Sequence, residues 1–142
     1  MRRGAWIAGW IVVALAGCGG AQTQAGTGAS GQAYAVGTWV GTGRDEGGTD
    51  WQFTLTLREA GPDLVGAYHW VGSDGLVGDE QIRGHADWAA RTFDWQGESA
   101  SGGSETMDVV TAHYTGTFGD DLATLSGSWV GGTPGTLEGR RR

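Results

Sequence analysis

The chain has 142 residues, of which 29 are Gly and 8 are Trp, with one Cys, nine Lys+Arg, sixteen Asp+Glu and a formal charge of −7. That length holds one domain, and because every basic residue is Arg and Asn is absent, a Schiff-base Lys, a phosphate-loop Lys and an Asn oxyanion donor are excluded. A single Cys excludes an internal disulfide and a Cys-based zinc site, and the acidic balance lacks the basic patch on which non-specific nucleic-acid binding depends.

The chain begins with a charged pair, Arg2 and Arg3, followed by an apolar run from Ala5 to Ala16. About a dozen residues suit a signal-peptide core and are too few for a membrane span of roughly 20. The run ends in Leu15-Ala16-Gly17-Cys18. This resembles the lipobox of bacterial lipoproteins, which implies cleavage after residue 17 and acylation of Cys18, a palmitate-type anchor held at about 0.8 kcal/mol per buried CH₂. Gly19 stands where inner-membrane-retained lipoproteins of the enterobacterial type carry Asp. In a Gram-negative cell the resemblance therefore implies the outer membrane, facing the periplasm. Loss of Arg2 and Arg3 with no acid leaves seven basic and sixteen acidic groups, a formal charge of −9, so lipid rather than charge would hold the domain to its membrane partner. Residues 18–35 form the lipidated Cys and a Gly, Ala, Gln and Thr linker that cannot bury a core.

From residue 36 to 142 apolar residues alternate, and Gly- or Asp-rich breaks recur about every dozen residues, which predicts an antiparallel barrel or sandwich. The expected strands are 36–43, 50–59, 63–72, 80–88, 91–98, 108–118, 122–131 and 134–140. Period-two parity places Trp39, Trp51, Phe53, Tyr68, Trp70, Trp88, Phe93, Trp95, Tyr114, Phe118 and Trp129 on one face. Thr, Ser, His, Asp, Glu and Arg fill the other, so a transmembrane barrel with an apolar outer face is excluded. Gly37, Gly66, Gly97, Gly116 and Gly127 share the aromatic parity. Small barrels alternate small and large inward residues in this way, and eight strands enclose space that side chains just fill or that holds one small ligand.

Gly37-Thr38-Trp39 in the first strand and Arg140 in the last resemble the Gly-x-Trp and late Arg of lipocalin and avidin-like barrels. The resemblance implies an all-β, eight-stranded antiparallel up-and-down barrel in which Arg140 packs across Trp39 and closes one end. The avidin-type Asn after the first Trp is Gly41 here, so biotin binding is not implied.

Candidate chemistry is sparse. His69 and His85 share outward parity, and a hairpin centred near Val77 would set them side by side as weak metal candidates, although two ligands are too few for a firm site. Asp74, Asp79 and Glu80 read as one acidic loop and Arg44, Asp45, Glu46 and Asp50 as another, without the ordered oxygen spacing of a calcium loop. Ser126 and Ser128 have no nucleophile elbow, and Asp87 and Asp94 face water. No catalytic residue and no cofactor is expected. The leading expectation is a non-enzymatic module that holds a small apolar or aromatic ligand among Trp39, Tyr68, Trp70, Trp88, Trp95, Tyr114 and Trp129. The alternative is a filled barrel serving as a structural or protein-interaction domain of the envelope. A void above roughly 300 Å³ opening between strand ends separates the two.

Overall fold

The computed structural model describes residues 32–105 and 107–142. The signal segment 1–17, Cys18 and the linker up to residue 31 lie outside the described residues. The strands are β1 Gly37–Asp45, β2 Asp50–Ala60, β3 Asp63–Gly72, β4 Val77–Asp87, β5 Thr92–Ser104, β6 Met107–Asp108, β7 His113–Phe118, β8 Thr124–Val130 and β9 Gly135–Arg141. The eight long strands pair antiparallel with their chain neighbours, and β1 pairs with β9. The result is the expected closed, eight-stranded up-and-down barrel, which leaves no exposed sheet edge among its long strands.

The alternation that predicted the strands is visible residue by residue. Along β4, Gly78, Glu80, Ile82, Gly84 and Ala86 are buried while their neighbours face water. The core comprises Trp39, Phe53, Leu55, Leu57, Leu64, Tyr68, Ile82, Phe93, Trp95, Phe118, Leu125 and Leu137 with other rings described below. The inward glycines give these rings a floor. Gly116 and Gly127 are cross-strand partners, and a Cβ on them would lie 2.5 Å and 2.8 Å from Cζ of Phe93, so the Phe93 ring rests on bare backbone where any side chain would displace it.

Three expectations are corrected. The predicted strand 108–118 is divided: β6 pairs only with Gly103 and Ser104 at the end of β5, Val109 to Ala112 has no strand pairing, and only β7 joins the barrel. The adjacent apolar residues Val109 and Val110 break the two-residue period there, so one face cannot stay buried. The predicted strand 91–98 instead runs on to Ser104, since the Ser- and Gly-rich stretch pairs through its backbone with β4. A register shift opposite Gln81 and Ile82 re-aims its side chains, as a bulge does. Finally, β4 starts at Val77 rather than residue 80, so Glu80, expected at the strand's first position and grouped with the acidic loop, lies well inside the strand and points inward.

Packed structure also reaches back into the stretch read as linker. Gln32 donates from Nε2 to the Pro62 carbonyl at 2.6 Å and accepts from the Ala86 N–H at 3.1 Å, and Ala35 is fully buried.

Candidate functional site

The two ends of the barrel differ. One end gathers the β2–β3, β4–β5 and β7–β8 turns with both ends of the packed chain, and it is plugged. Trp39, 0% exposed, donates its indole N–H to the Ala35 carbonyl at 2.9 Å and packs against Phe118. The guanidinium of Arg141 lies 4.5 Å over the Trp39 ring and donates to the carbonyls of Val36 and Tyr34. Closure across Trp39 is therefore correct in kind but one residue off. Arg140 pairs in register with Val40 and Thr124 and shares their outward parity, whereas Arg141 has the inward parity of Leu137 and Gly139. Tyr34 fills the remaining gap, edge-on to Phe118 and Trp88. Burial, with the Asp87 charge second, pushes its hydroxyl up to about 12. Trp88 is the inward residue that the structure moves out: β4 ends at Asp87, and Trp88 sits in the following turn, 52% exposed.

The opposite end gathers the β1–β2, β3–β4 and β8–β9 turns and the 105–112 connection, and it opens into a cavity of about 340 Å³. Trp51, Trp70, Tyr114 and Trp129 form its aromatic wall, and Glu80 borders it from β4. Trp70 is the hub. Its ring stacks parallel to Tyr68 at 5.0 Å and Tyr114 at 6.4 Å, tilts against Trp129 at 5.5 Å and meets Trp51 edge-on at 6.3 Å. Such offset and edge contacts hold the wall without the cavity being filled. Trp129 is anchored by its indole N–H to the Thr133 carbonyl at 2.8 Å and lies over Gly135, where a Cβ would come 2.3 Å from the ring.

Of the seven rings expected to contact a ligand, Trp70, Tyr114 and Trp129 line this cavity. Trp39 belongs to the plug, Trp88 lies outside, and Tyr68 and Trp95 lie in the core, joined by a 3.3 Å hydrogen bond from the Trp95 indole to the Tyr68 hydroxyl. Burial pushes the Tyr68 hydroxyl far up.

Trp51 and Glu80 are site residues left out of the expected ligand contacts, although Trp51 belongs to the inward set and the parity of Glu80 with Ile82, Gly84 and Ala86 carried the signal. Glu80 is 2% exposed. Its carboxyl accepts from the Ala112 N–H at 2.6 Å and, through the other oxygen, from the Tyr114 hydroxyl. Gly97 makes room for it, since a Cβ there would sit 1.9 Å from Oε1. Desolvation raises the Glu80 carboxyl above its ordinary value, against the opposing pull of the Tyr114 and Ala112 hydrogen bonds. The Tyr114 hydroxyl is pushed far up by burial and then by the Glu80 charge. Asp45, on the rim, behaves oppositely. Slight burial pushes it up, but hydrogen bonds from the Trp51 indole, at 3.0 Å, and from Thr49 and Gly47 outweigh this and hold it below its ordinary value.

The remaining candidates are dispersed over the outside. His69 stands opposite Asp79, not His85, and its Nδ1 lies 2.8 Å from that carboxylate. The hairpin is centred near Asp74, three residues before the expected Val77, and His85 instead faces Asp63 at 3.6 Å. His113 pairs with Asp94 at 2.8 Å. Among the described residues no three His, Cys, Asp or Glu side chains come together as a metal site. Arg44 and Asp50 form an exposed ion pair, Asp87 caps the turn at Ala90, and Ser126 and Ser128 pair with Glu138 and Thr136 on the polar outer surface. A depression of about 930 Å³ also lies on the outer face, among Thr42, Arg44, Gln52, Val71, Ser126 and Glu138.

No family model and no curated protein matches the chain. Among solved structures it is similar to a de novo designed fluorescence-activating β barrel, at 18% identity and TM-score 0.55, covering 78% of this chain and 96% of that one. It is similar also to the redesigned barrel mFAP1 bound to DFHBI, at 15% identity and TM-score 0.59 with the same coverage. A third is EF1p2_mFAP2b bound to DFHBI, at 17% identity and TM-score 0.56, covering 82% and 98%. At such identities these likenesses carry the fold alone: the chain is a closed antiparallel β-barrel.

Proposed function

We propose that this chain is a lipid-anchored protein of the bacterial cell envelope whose barrel is a non-enzymatic binding module for a small, flat, apolar or aromatic ligand. The observation that carries the binding reading is the cavity of about 340 Å³ walled by Trp51, Trp70, Tyr114 and Trp129, above the size at which a void admits a small molecule. Two of the similar barrels are described as bound to DFHBI, which supports a ligand inside this architecture. The anchor reading rests on Leu15-Ala16-Gly17-Cys18. Gln32 lies at the plugged end, so a tether leading back to Cys18 would leave the barrel opposite the mouth and keep the cavity accessible beside a membrane.

Titration with DFHBI and a panel of aromatic metabolites should quench or shift the Trp emission. A Trp51→Ala variant should bind about tenfold more weakly, because one stacking wall is lost. No response to any compound would leave the filled interaction module as the better reading. For the anchor, Cys18→Ser should move the protein from the membrane to the soluble fraction; a variant that still pellets with membranes overturns the lipoprotein assignment.

A further inference from the structure

We infer that the cavity selects organic cations: flat aromatic or alkylated ammonium and ring-nitrogen compounds rather than neutral or carboxylate-bearing ones. This rests on reading the cavity as a ligand site and specifies its chemistry. The residues lining it include four carboxylates, Asp45, Asp74, Asp108 and Glu80, and no Arg or His. Three of the acids come from separate segments, the end of β1, the β3–β4 turn and β6, so the negative potential surrounds the mouth rather than marking one loop. The nearby Arg44 is of outward parity and already paired with Asp50 at 2.7 Å.

Negative charge alone would attract only solvated cations. Here it is combined with three indoles and a phenol, whose ring faces attract a cation strongly once water is displaced. The two features are coupled at Trp51, where the indole N–H donates to Asp45 Oδ2 at 3.0 Å and the anion draws on the ring's positive edge, leaving its face more negative. Glu80 places a carboxyl at the inner border, held by Ala112 and Tyr114. An anionic guest would have to approach all four acids without a counter-charge.

The test compares three probes of nearly equal shape by calorimetry on the full chain carrying Cys18→Ser: N-methylquinolinium, 1-methylnaphthalene and 1-naphthoate. N-methylquinolinium should bind at least about tenfold more tightly than 1-methylnaphthalene, and 1-naphthoate should give no measurable binding. The preference should fall several-fold in Glu80→Gln and in the double variant Asp74→Asn/Asp108→Asn, whose exposed positions leave folding intact, and it should weaken at about 0.5 M salt. If 1-methylnaphthalene binds as tightly as the quinolinium, the cation selectivity is wrong while the ligand site stands. If none of the three binds, the ligand site itself is wrong.

Discussion

Replacing Trp39 with Ala should destabilise the barrel by about 3–5 kcal/mol and lower its melting temperature by about 15–20 °C. Trp39 is 0% exposed, so truncation removes its transfer free energy and leaves a void that a closed sheet cannot collapse to fill. The indole also ties the residue 32–36 plug to the barrel through Ala35, and its face carries the Arg141 guanidinium. A domain of this size has only about 5–15 kcal/mol in total, so the variant should be near unfolding at moderate temperature. The two arginines provide the control. Arg141→Ala should cost about 1–2 kcal/mol by removing the cation–π contact and two carbonyl partners, whereas Arg140→Ala should stay within about 0.5 kcal/mol. Urea denaturation followed by circular dichroism measures all three. Equal effects of the two arginine variants would refute the assignment of Arg141 as the closing residue.

Removal of the Glu80 carboxyl has the second largest expected effect. Glu80→Ala leaves the Ala112 N–H and the Tyr114 hydroxyl buried without their acceptor, at about 1–3 kcal/mol for each unsatisfied group, so a loss of about 2–6 kcal/mol is expected. Glu80→Gln should be milder because it retains an acceptor oxygen and the volume. The pair also has a pH signature. The folded state holds the Glu80 proton to a higher pH than the unfolded chain does, since burial raises the carboxyl above 4.5. Between these two values the folded state binds more protons, so stability falls as pH rises through the window and is fully present below 4.5. Asp45, lowered from 3.8, acts in the opposite sense: its contribution is present above 3.8 and is lost as pH falls through its folded value. Wild type should therefore gain stability relative to Glu80→Gln as the pH is lowered from neutral toward 4.5. Parallel stability curves for the two proteins over that range would show that Glu80 titrates as it would in water.

The aromatic and glycine parities were legible because a strand sends alternate side chains to opposite faces whatever its neighbours are. Gly116 and Gly127 could be read as inward for the same reason that Phe93 could, and the structure sets that ring on those two backbones. The parity argument failed where the strand ends were misplaced. Starting β4 three residues late left Glu80 at the strand's first position, grouped with the acidic loop, and extending the strand by one residue put Trp88 inside. A strand end depends on where partner backbones stop pairing, which is a property of the neighbouring strands. The hairpin centre decided the histidines in the same way. Moving it from Val77 to near Asp74 replaced a His69–His85 pair with His69–Asp79.

By itself the sequence determined the fold class, the number of barrel strands, the inward rings other than Trp88 and the motif that resembles a lipobox, all of which are local patterns in the chain. Only the tertiary structure decided that the barrel is plugged at one end and hollow at the other. The difference arises because residues 32–36 and Arg141 fill the end beneath Trp39, while the four carboxylates and the rings at the opposite mouth come from segments far apart in sequence. Which rings meet a guest is therefore set by the closure of the sheet, through the loops it brings together at each end.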